Sequence, residues 1–401
     1  MLTNNLKTSS AFMVLLMQSI AAFSQPAIKS MLRLPDTGQT RSYTTTYGED
    51  ADYERFLPGY IDHGDGTITD TVTGLMWQKY DGGEMRYETA VSYCDSLQLA
   101  GYNDWRLPNS HELFSILNLD HVNPAIDTNF FKSNGAEYWW SNQQQFNDTN
   151  KIWVTNAGGG VGNHPRSETI SAGGTKRFHT RAVRYPGSPQ IISQRWVSVG
   201  TNLIYDSVTA LVWWGMPFTA QSWEQALTVA DTAAMAGYHN WRLPNIRELQ
   251  SLNVENRGNP SVNTSLFPSV NTGHYWSSTS LPNQTDKAWY WNNQYGITTY
   301  DSKTNSLPFL LVTDLSTPTT VNYLAAKTDI SIYPNPSAGN LTVISEQSIL
   351  KIECYNQVGE VVLTSAPQSN RANLTDLAPG FYLLRISHGE TTTVCRILVT
   401  L

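Results

Sequence analysis

A nine-residue stretch occurs twice in this chain. Gly101-Tyr-Asn-Asp-Trp-Arg-Leu-Pro-Asn109 returns as Gly237-Tyr-His-Asn-Trp-Arg-Leu-Pro-Asn245. The shift is 136 residues (101 to 237), and it also carries Asp70–Trp77 onto Asp206–Trp213, Asn123-Pro124 onto Asn259-Pro260, Trp140-Ser141 onto Trp276-Ser277 and Trp153 onto Trp289. One register held over that many positions marks a duplication. A period this long is a duplicated domain and not a solenoid unit, because each copy is long enough to bury a core of its own. The copies run from about 56 to 186 and from 190 to 313, and each is expected to fold independently.

Within each copy the pattern reads strand, helix, helix, then strands. Ala90, Val91, Cys94 and Leu97 share one face at helical spacing, as do Trp223, Ala226, Leu227 and Ala230. Gly101 and Gly237 read as the stop signal of that first helix, and Leu107 and Leu243 are held extended by Pro108 and Pro244. Asn109-Ser-His-Glu112 and Asn245-Ile-Arg-Glu248 each offer an Asn cap with a Glu three residues on, which opens a second helix. Aromatic strands and glycine-rich loops follow. The fold class expected is α+β, two helices against an antiparallel, aromatic-rich sheet.

The flanks are of other kinds. Residues 1–24 read as an export signal: Lys7 precedes the apolar stretch Ala11 to Phe23, and the small Ala22 and Ser24 stand before Gln25. No later run approaches the ~20 apolar residues of a membrane-spanning helix. Residues 25–55 form a leader, and residues 314–327, rich in Thr, Ser and Pro, a linker. Residues 328–401 carry short alternating runs, among them Leu341/Val343, Ile352/Cys354 and Tyr382/Leu384/Ile386, and read as a small all-β sandwich. Cys354 and Cys395 both take the apolar-facing register there, so they either bridge or stay as small buried hydrophobes, while Cys94 is expected as a buried thiol.

The net charge of −7 excludes a global field that attracts polyanions such as nucleic acid, so any basic surface must be local. With 15% charged residues, 13 Trp and 20 Tyr, the chain is neither disordered nor a coiled coil.

Gly-Tyr-x-x-Trp-Arg-Leu-Pro, with Thr73-Gly-Leu-Met-Trp77 upstream and Trp139-Trp-Ser141 or Tyr275-Trp-Ser277 downstream, resembles the Lcl C-terminal domain family of bacterial surface proteins. The likeness includes the leader segments Leu34-Pro-Asp-Thr-Gly-Gln-Thr40 and Gly48-Glu-Asp50. It implies two tandem C-type-lectin-like domains and, for the adhesin that names the family, binding of sulfated glycosaminoglycans. Members of the family often pair a cysteine in the first helix with one in a closing Arg-Cys-Val-Arg strand. Here Cys94 stands alone, because the closing segment is Arg181-Ala-Val-Arg184, and the second copy has Ala230 at the helix position. Ile332-Tyr-Pro-Asn-Pro336, Gly339-Asn-Leu-Thr-Val343 and Leu377-Ala-Pro-Gly-Phe-Tyr382 resemble the sorting domain of the type nine (Por) secretion system. That resemblance implies passage through the outer membrane, usually with cleavage of the tail.

Residues shared by the copies read as fold determinants: Trp77, Trp105, Arg106, Pro108 and Trp140, with Trp213, Trp241, Arg242, Pro244 and Trp276. In Trp105-Arg106 and Trp241-Arg242 the Trp fills the core and the Arg bonds carbonyls or pairs with a carboxylate such as Glu112 or Glu248, the alternative being a cation–π ligand site. Residues that differ between copies are the better ligand candidates. Arg166, Lys176 and Arg177, beside Gly173-Gly174, form a positive loop for sulfate or carboxylate, with an ordinary solvated loop as the alternative. Trp139, Trp214, Trp291 and Tyr295 are candidates for stacking on sugar rings. Asp62, Asp65 and Asp70 could surround calcium, but a hairpin turned by Asp65-Gly66 accounts for the segment better.

Enzyme signatures are missing from the sequence. Gly158-Gly-Gly-Val-Gly162 lacks the Lys-Ser/Thr of a phosphate loop, and the eight histidines show no metal-ligand spacing. The reading is an exported, non-enzymatic surface or secreted protein that binds a glycan or another surface ligand without a cofactor. A structural envelope-assembly module and an unrecognised secreted hydrolase are the alternatives.

Overall fold

A computed structural model describes residues 27–29, 31–133, 135–168, 178–187, 190–192, 195–314, 330–334, 337, 339–356, 360–388 and 391–399. The export signal and the linker beyond Asp314 lie outside them. The chain divides into two compact units, Met1–Thr319 and Thr320–Leu401.

In the first unit each copy builds the same sheet. In copy one, strands Tyr60–Asp62, Thr67–Asp70, Met76–Gln78 and Val183–Arg184 lie side by side. In copy two, Trp196–Gly200, Leu203–Asp206, Leu211–Trp214 and Val312–Asp314 repeat that order. The registers match, since Ile68 faces Trp77 and Trp77 faces Val183, as Ile204 faces Trp213 and Trp213 faces Val312. A second sheet holds Tyr138–Gln145, Asp148–Asn156 and Val161–Pro165 in copy one, and His274–Ser280, Lys287–Asn292 and Ile297–Ser302 in copy two. The helices are short: α1 (Tyr87–Ser96) and α2 (Ser110–Ser115), then α3 (Trp223–Asp231) and α4 (Ile246–Ser251). The described residues are therefore mostly β, in two tandem domains with few helices.

The repeated motif does the same work twice. Trp105 Nε1 donates to Leu99 O and Trp241 Nε1 to Met235 O, both at 3.3 Å. Trp140 Nε1 reaches Met85 O at 3.0 Å and Trp276 Nε1 reaches Gln221 O at 3.1 Å. Arg106 grips both oxygens of Glu112 at 2.7 Å, and Arg242 grips those of Glu248 at 2.7 and 2.6 Å. Asn109 and Asn245 cap α2 and α4 in full capping boxes, as the spacing predicts. Pro108 and Pro244 are buried, and their carbonyls accept from Asn142 and Ser278.

Gly101 and Gly237 differ from expectation. α1 ends at Ser96 and α3 at Asp231, several residues earlier. Ala100-Gly101 and Ala236-Gly237 are instead consecutive left-handed pairs, with φ of 54° and 79°, then 53° and 81°. Each pair makes the tight turn that brings the Trp-Arg strand back, and glycine carries the second left-handed position without a Cβ penalty.

Each copy has a core cluster of its own, and the two copies share a third. α1 packs over a cluster of copy-one residues around Trp105 and Trp140, and α3 over the equivalent copy-two cluster around Trp241 and Trp276. A third, larger cluster combines Trp77, Phe114, Trp139 and Trp153 with Trp213, Leu249, Trp289 and Trp291. The apolar faces of α2 and α4 meet there, so beside their own clusters the copies share a core that the repeat pattern did not predict. The period is long enough for two cores, but both copies carry apolar surface on a second face, and mutual burial removes it from water.

The leader is part of this unit. Leu34-Pro-Asp-Thr-Gly38, whose letters could suggest a cell-wall anchor signal, lies largely buried. Gln39 exchanges two hydrogen bonds with the backbone of Ser280, and Asp50 accepts from Thr37 Oγ1 at 2.8 Å and Thr279 Oγ1 at 2.6 Å.

The second unit is a pair of sheets on one core, as expected. Ser331–Tyr333, Leu341–Ile349 and Ser369–Leu374 form one sheet, and Val361–Ser365, Lys351–Tyr355, Gly380–His388 and Thr391–Val399 the other. Val343, Ile352, Cys354, Leu384 and Ile386 are fully buried between them. Leu384 pairs with Cys354 on one side and Cys395 on the other. The two cysteine Cα atoms are therefore two strand spacings apart, roughly 9–10 Å, beyond the ~7 Å reach of a disulfide. Cys354 is a free, buried thiol.

Candidate ligand-binding surfaces

The basic residues of copy one separate into two kinds. Arg181 is fully buried and donates to the carbonyls of Gln78 and Lys79, each at 2.7 Å, and of Lys132 at 2.9 Å. Burial pulls its pKa down to about 10. Arg184 holds Asp104 at 2.7 Å and lies 3.8 Å from the Tyr102 ring centroid. Both tie the closing segment to the sheet. Arg166 is half-buried, its Nε donates to Glu88 at 2.7 Å, and its guanidinium covers the Tyr87 ring. Glu88 offsets the charge of Arg166, which leaves less for an anion than a solvated loop would offer. Lys176 and Arg177 lie outside the described residues.

The stacking candidates divide as well. Trp139 and Trp291 are 1% and 0% exposed in the shared core, so neither presents a face to a sugar. That corrects the expectation for both: their strands turn these positions inward. Trp214 and Tyr295 are half-buried, Trp214 edge-on to Trp241 and Tyr295 tilted against Phe146 of the other copy at 6.4 Å.

The Asp62–Asp70 segment is a hairpin. Tyr60–Asp62 pairs with Thr67–Asp70 across a four-residue loop, His63 to Gly66, in which Gly64 and Gly66 take the left-handed conformation. Asp65 does not, so the expected two-residue turn gives way to a longer one. Asp62 pairs with Lys79 at 2.5 Å, Asp65 accepts from Thr67 N at 3.0 Å, and buried Asp70 accepts from Val72 N at 2.9 Å. Each carboxylate is used locally, and among the described residues no group of three or more His, Cys, Asp or Glu is placed to hold a metal.

Nucleophiles are muted. Cys94 is buried against Thr180 Oγ1 at 3.4 Å, and burial pushes its thiol up to about 11. His179 is buried beside Asp81; His111 is half-buried beside Glu255, and desolvation lowers its pKa against the opposing pull of that carboxylate.

A concavity lies where the copies meet, and the sequence did not single it out as a site. It encloses about 800 Å³. Copy one contributes Asn123, Glu137, Asn156 and the Gly158–Gly160 turn, and copy two contributes Asn283, Gln284, Trp289 and Tyr300. The glycine turn that fails as a phosphate loop serves this junction. Gly159 has φ 103°, and a Cβ there would come within 2.7 Å of Leu119 and 3.3 Å of Trp289. The sequence signal for the site was this run of glycines, which copy two replaces with Gln294-Tyr295-Gly296.

Comparison with known proteins follows the same divisions. The family model of the Lcl C-terminal domain matches residues 66–184 and 202–313, and that of the secretion system C-terminal sorting domain matches residues 331–400. No curated protein matches the chain. Among solved structures, one described as PorZ, an essential surface component of the type-IX secretion system of Porphyromonas gingivalis, is 10% identical with a TM-score of 0.17. That match covers 66% of this chain and 30% of the other, so this chain spans less than a third of its length. No helix among the described residues is long and apolar enough to cross a membrane. The sorting domain marks the protein for export through the type IX machinery to the cell surface or the medium, and with both copies matched the chain belongs to the Lcl C-terminal domain family.

Proposed function

We propose that the two repeats act as one non-enzymatic binding module, delivered outside the cell by the sorting domain, that engages a glycan or another surface ligand without a metal cofactor. Each repeat is read as C-type-lectin-like, from the resemblance of its Gly-Tyr-x-x-Trp-Arg-Leu-Pro core. The observation that carries this reading is the open cleft of about 800 Å³ between the copies. It is concave and it mixes aromatic and amide groups. The buried histidine and cysteine side chains lie elsewhere, as parts of the packing. The test is a glycan array probed with the mature exported protein, in the presence and absence of a chelator. Selective binding that survives chelation supports the reading. A protein that reaches the surface and binds no glycan would instead be an envelope-assembly component.

A further inference from the structure

The duplication creates two equivalent clefts, and the copies differ in what fills them. Thr155 pairs with Val161 in copy one as Trp291 pairs with Thr298 in copy two, and the strands that begin at Val161 and Ile297 meet each other across the junction. One repeat is thus related to the other as partners are in a two-fold dimer. At one of the two related places Phe146 packs against Tyr295, and a Cβ on Gly258 would stand 2.7 Å from the Phe146 ring. At the other place the 136-residue shift puts Pro282 where Phe146 stands, and the Gly158–Gly160 turn takes the place of the Gln294-Tyr295-Gly296 turn, which is one residue longer before its strand. The first place carries an aromatic plug, while the second is the open cleft.

We infer that the open cleft is a binding site for a neutral, hydroxyl-rich saccharide. This rests on the proposal that the module binds a glycan, and adds the place and the chemical class. Among the described residues the single charged group lining the cleft is Glu137, an acid, which disfavours sulfate and carboxylate. The nearby cation, Lys287, donates to Gln284 Oε1 at 2.7 Å and lies 5.2 Å from the Tyr300 ring centroid. The side-chain amides of Asn283 and Gln284 supply the donors and acceptors that vicinal hydroxyls require. Tyr300 is 40% exposed and held perpendicular to Trp289 at 5.5 Å, an aromatic platform fixed by the core behind it. Both copies are needed, because neither alone has walls on two sides.

The experiment uses the full exported chain on immobilised uncharged oligosaccharides, with heparin as the anionic comparison. Binding to an uncharged oligosaccharide is expected, weakened about tenfold by Tyr300→Ala and by Asn283→Ala at unchanged melting temperature, and unaffected by Arg166→Ala. Tyr300→Phe, which keeps the ring, is expected to retain it. Binding that persists in both alanine variants, or is confined to heparin and lost with Arg166→Ala, overturns the cleft while leaving a glycan-binding module. Absence of binding to every glycan overturns both.

Discussion

Val161 and Thr298 hold the same place in the two repeats and touch each other: the Val161 N–H donates to Thr298 Oγ1 at 2.8 Å. Arg247 reinforces the junction from α4, donating to the carbonyl of Leu117 in copy one and to that of Asp36 in the leader. Its counterpart at the 136-residue shift is His111, which pairs with Glu255 of copy two. The junction is therefore built from equivalent elements but fastened by different side chains.

A shared core makes the repeats one cooperative unit. Trp105→Ala or Trp241→Ala should cost about 3 to 5 kcal/mol, and each should unfold both copies together. Arg247→Met should cost about 3 kcal/mol, because the carbonyls and acids it faces stay buried without it. Calorimetry of residues 25–327 is expected to show one transition for the repeats. Two resolved transitions, with only one displaced by each Trp variant, would disprove the shared core.

Gly159 should be intolerant of a side chain. Gly159→Ala meets both the left-handed backbone and the contact with Leu119, and is expected to lower stability by about 1 to 3 kcal/mol. Gly162→Ala, where a Cβ has open space, should be close to neutral. Equal melting temperatures for the two variants would contradict the close approach.

The leader should make stability depend on pH. Asp50 is pushed from 3.8 up to about 8, first by burial and then by the neighbouring Asp36. Such a carboxyl holds its proton more tightly folded than unfolded. Its contribution is full below 3.8 and is lost as the pH rises through about 8. Asp36 and Glu49, also raised by burial, add slopes of the same sign. Urea midpoints should fall across this window, and less steeply in Asp50→Asn. An unchanged slope in that variant would remove Asp50 as the cause.

The thiols of Cys94 and Cys354 should be silent in the native protein. Burial raises both Cys94 and Cys354 to about 11, and the register separates Cys354 from Cys395 by one strand. Alkylation of Cys94 and Cys354 is expected only on unfolding, with no bridge between Cys354 and Cys395 by mass mapping. Detection of that bridge would overturn the strand register.

Removing residues 328–401 should leave the repeats folded but retained in the periplasm, because the sorting domain is a compact unit with a core cluster of its own. Fractionation and protease accessibility of whole cells check this. Normal surface display of the truncated protein would contradict it.

Much was legible in the chain because it is local or repeated. The 136-residue shift gave the duplication, Asn-x-x-Glu gave the caps of α2 and α4, and the Arg106–Glu112 and Arg242–Glu248 pairs follow from short spacings across one turn. What tertiary structure alone decided are relations between residues far apart. Trp139 and Trp291 look like any strand tryptophan until the two copies close over them. Phe146 and Tyr295 are separated by 149 positions (146 to 295), so no local pattern shows that they meet while Gly159 and Pro282 leave the related place open. Sequence periodicity shows which face of an element is apolar, but the partner that covers it is chosen by burial of the whole surface at once.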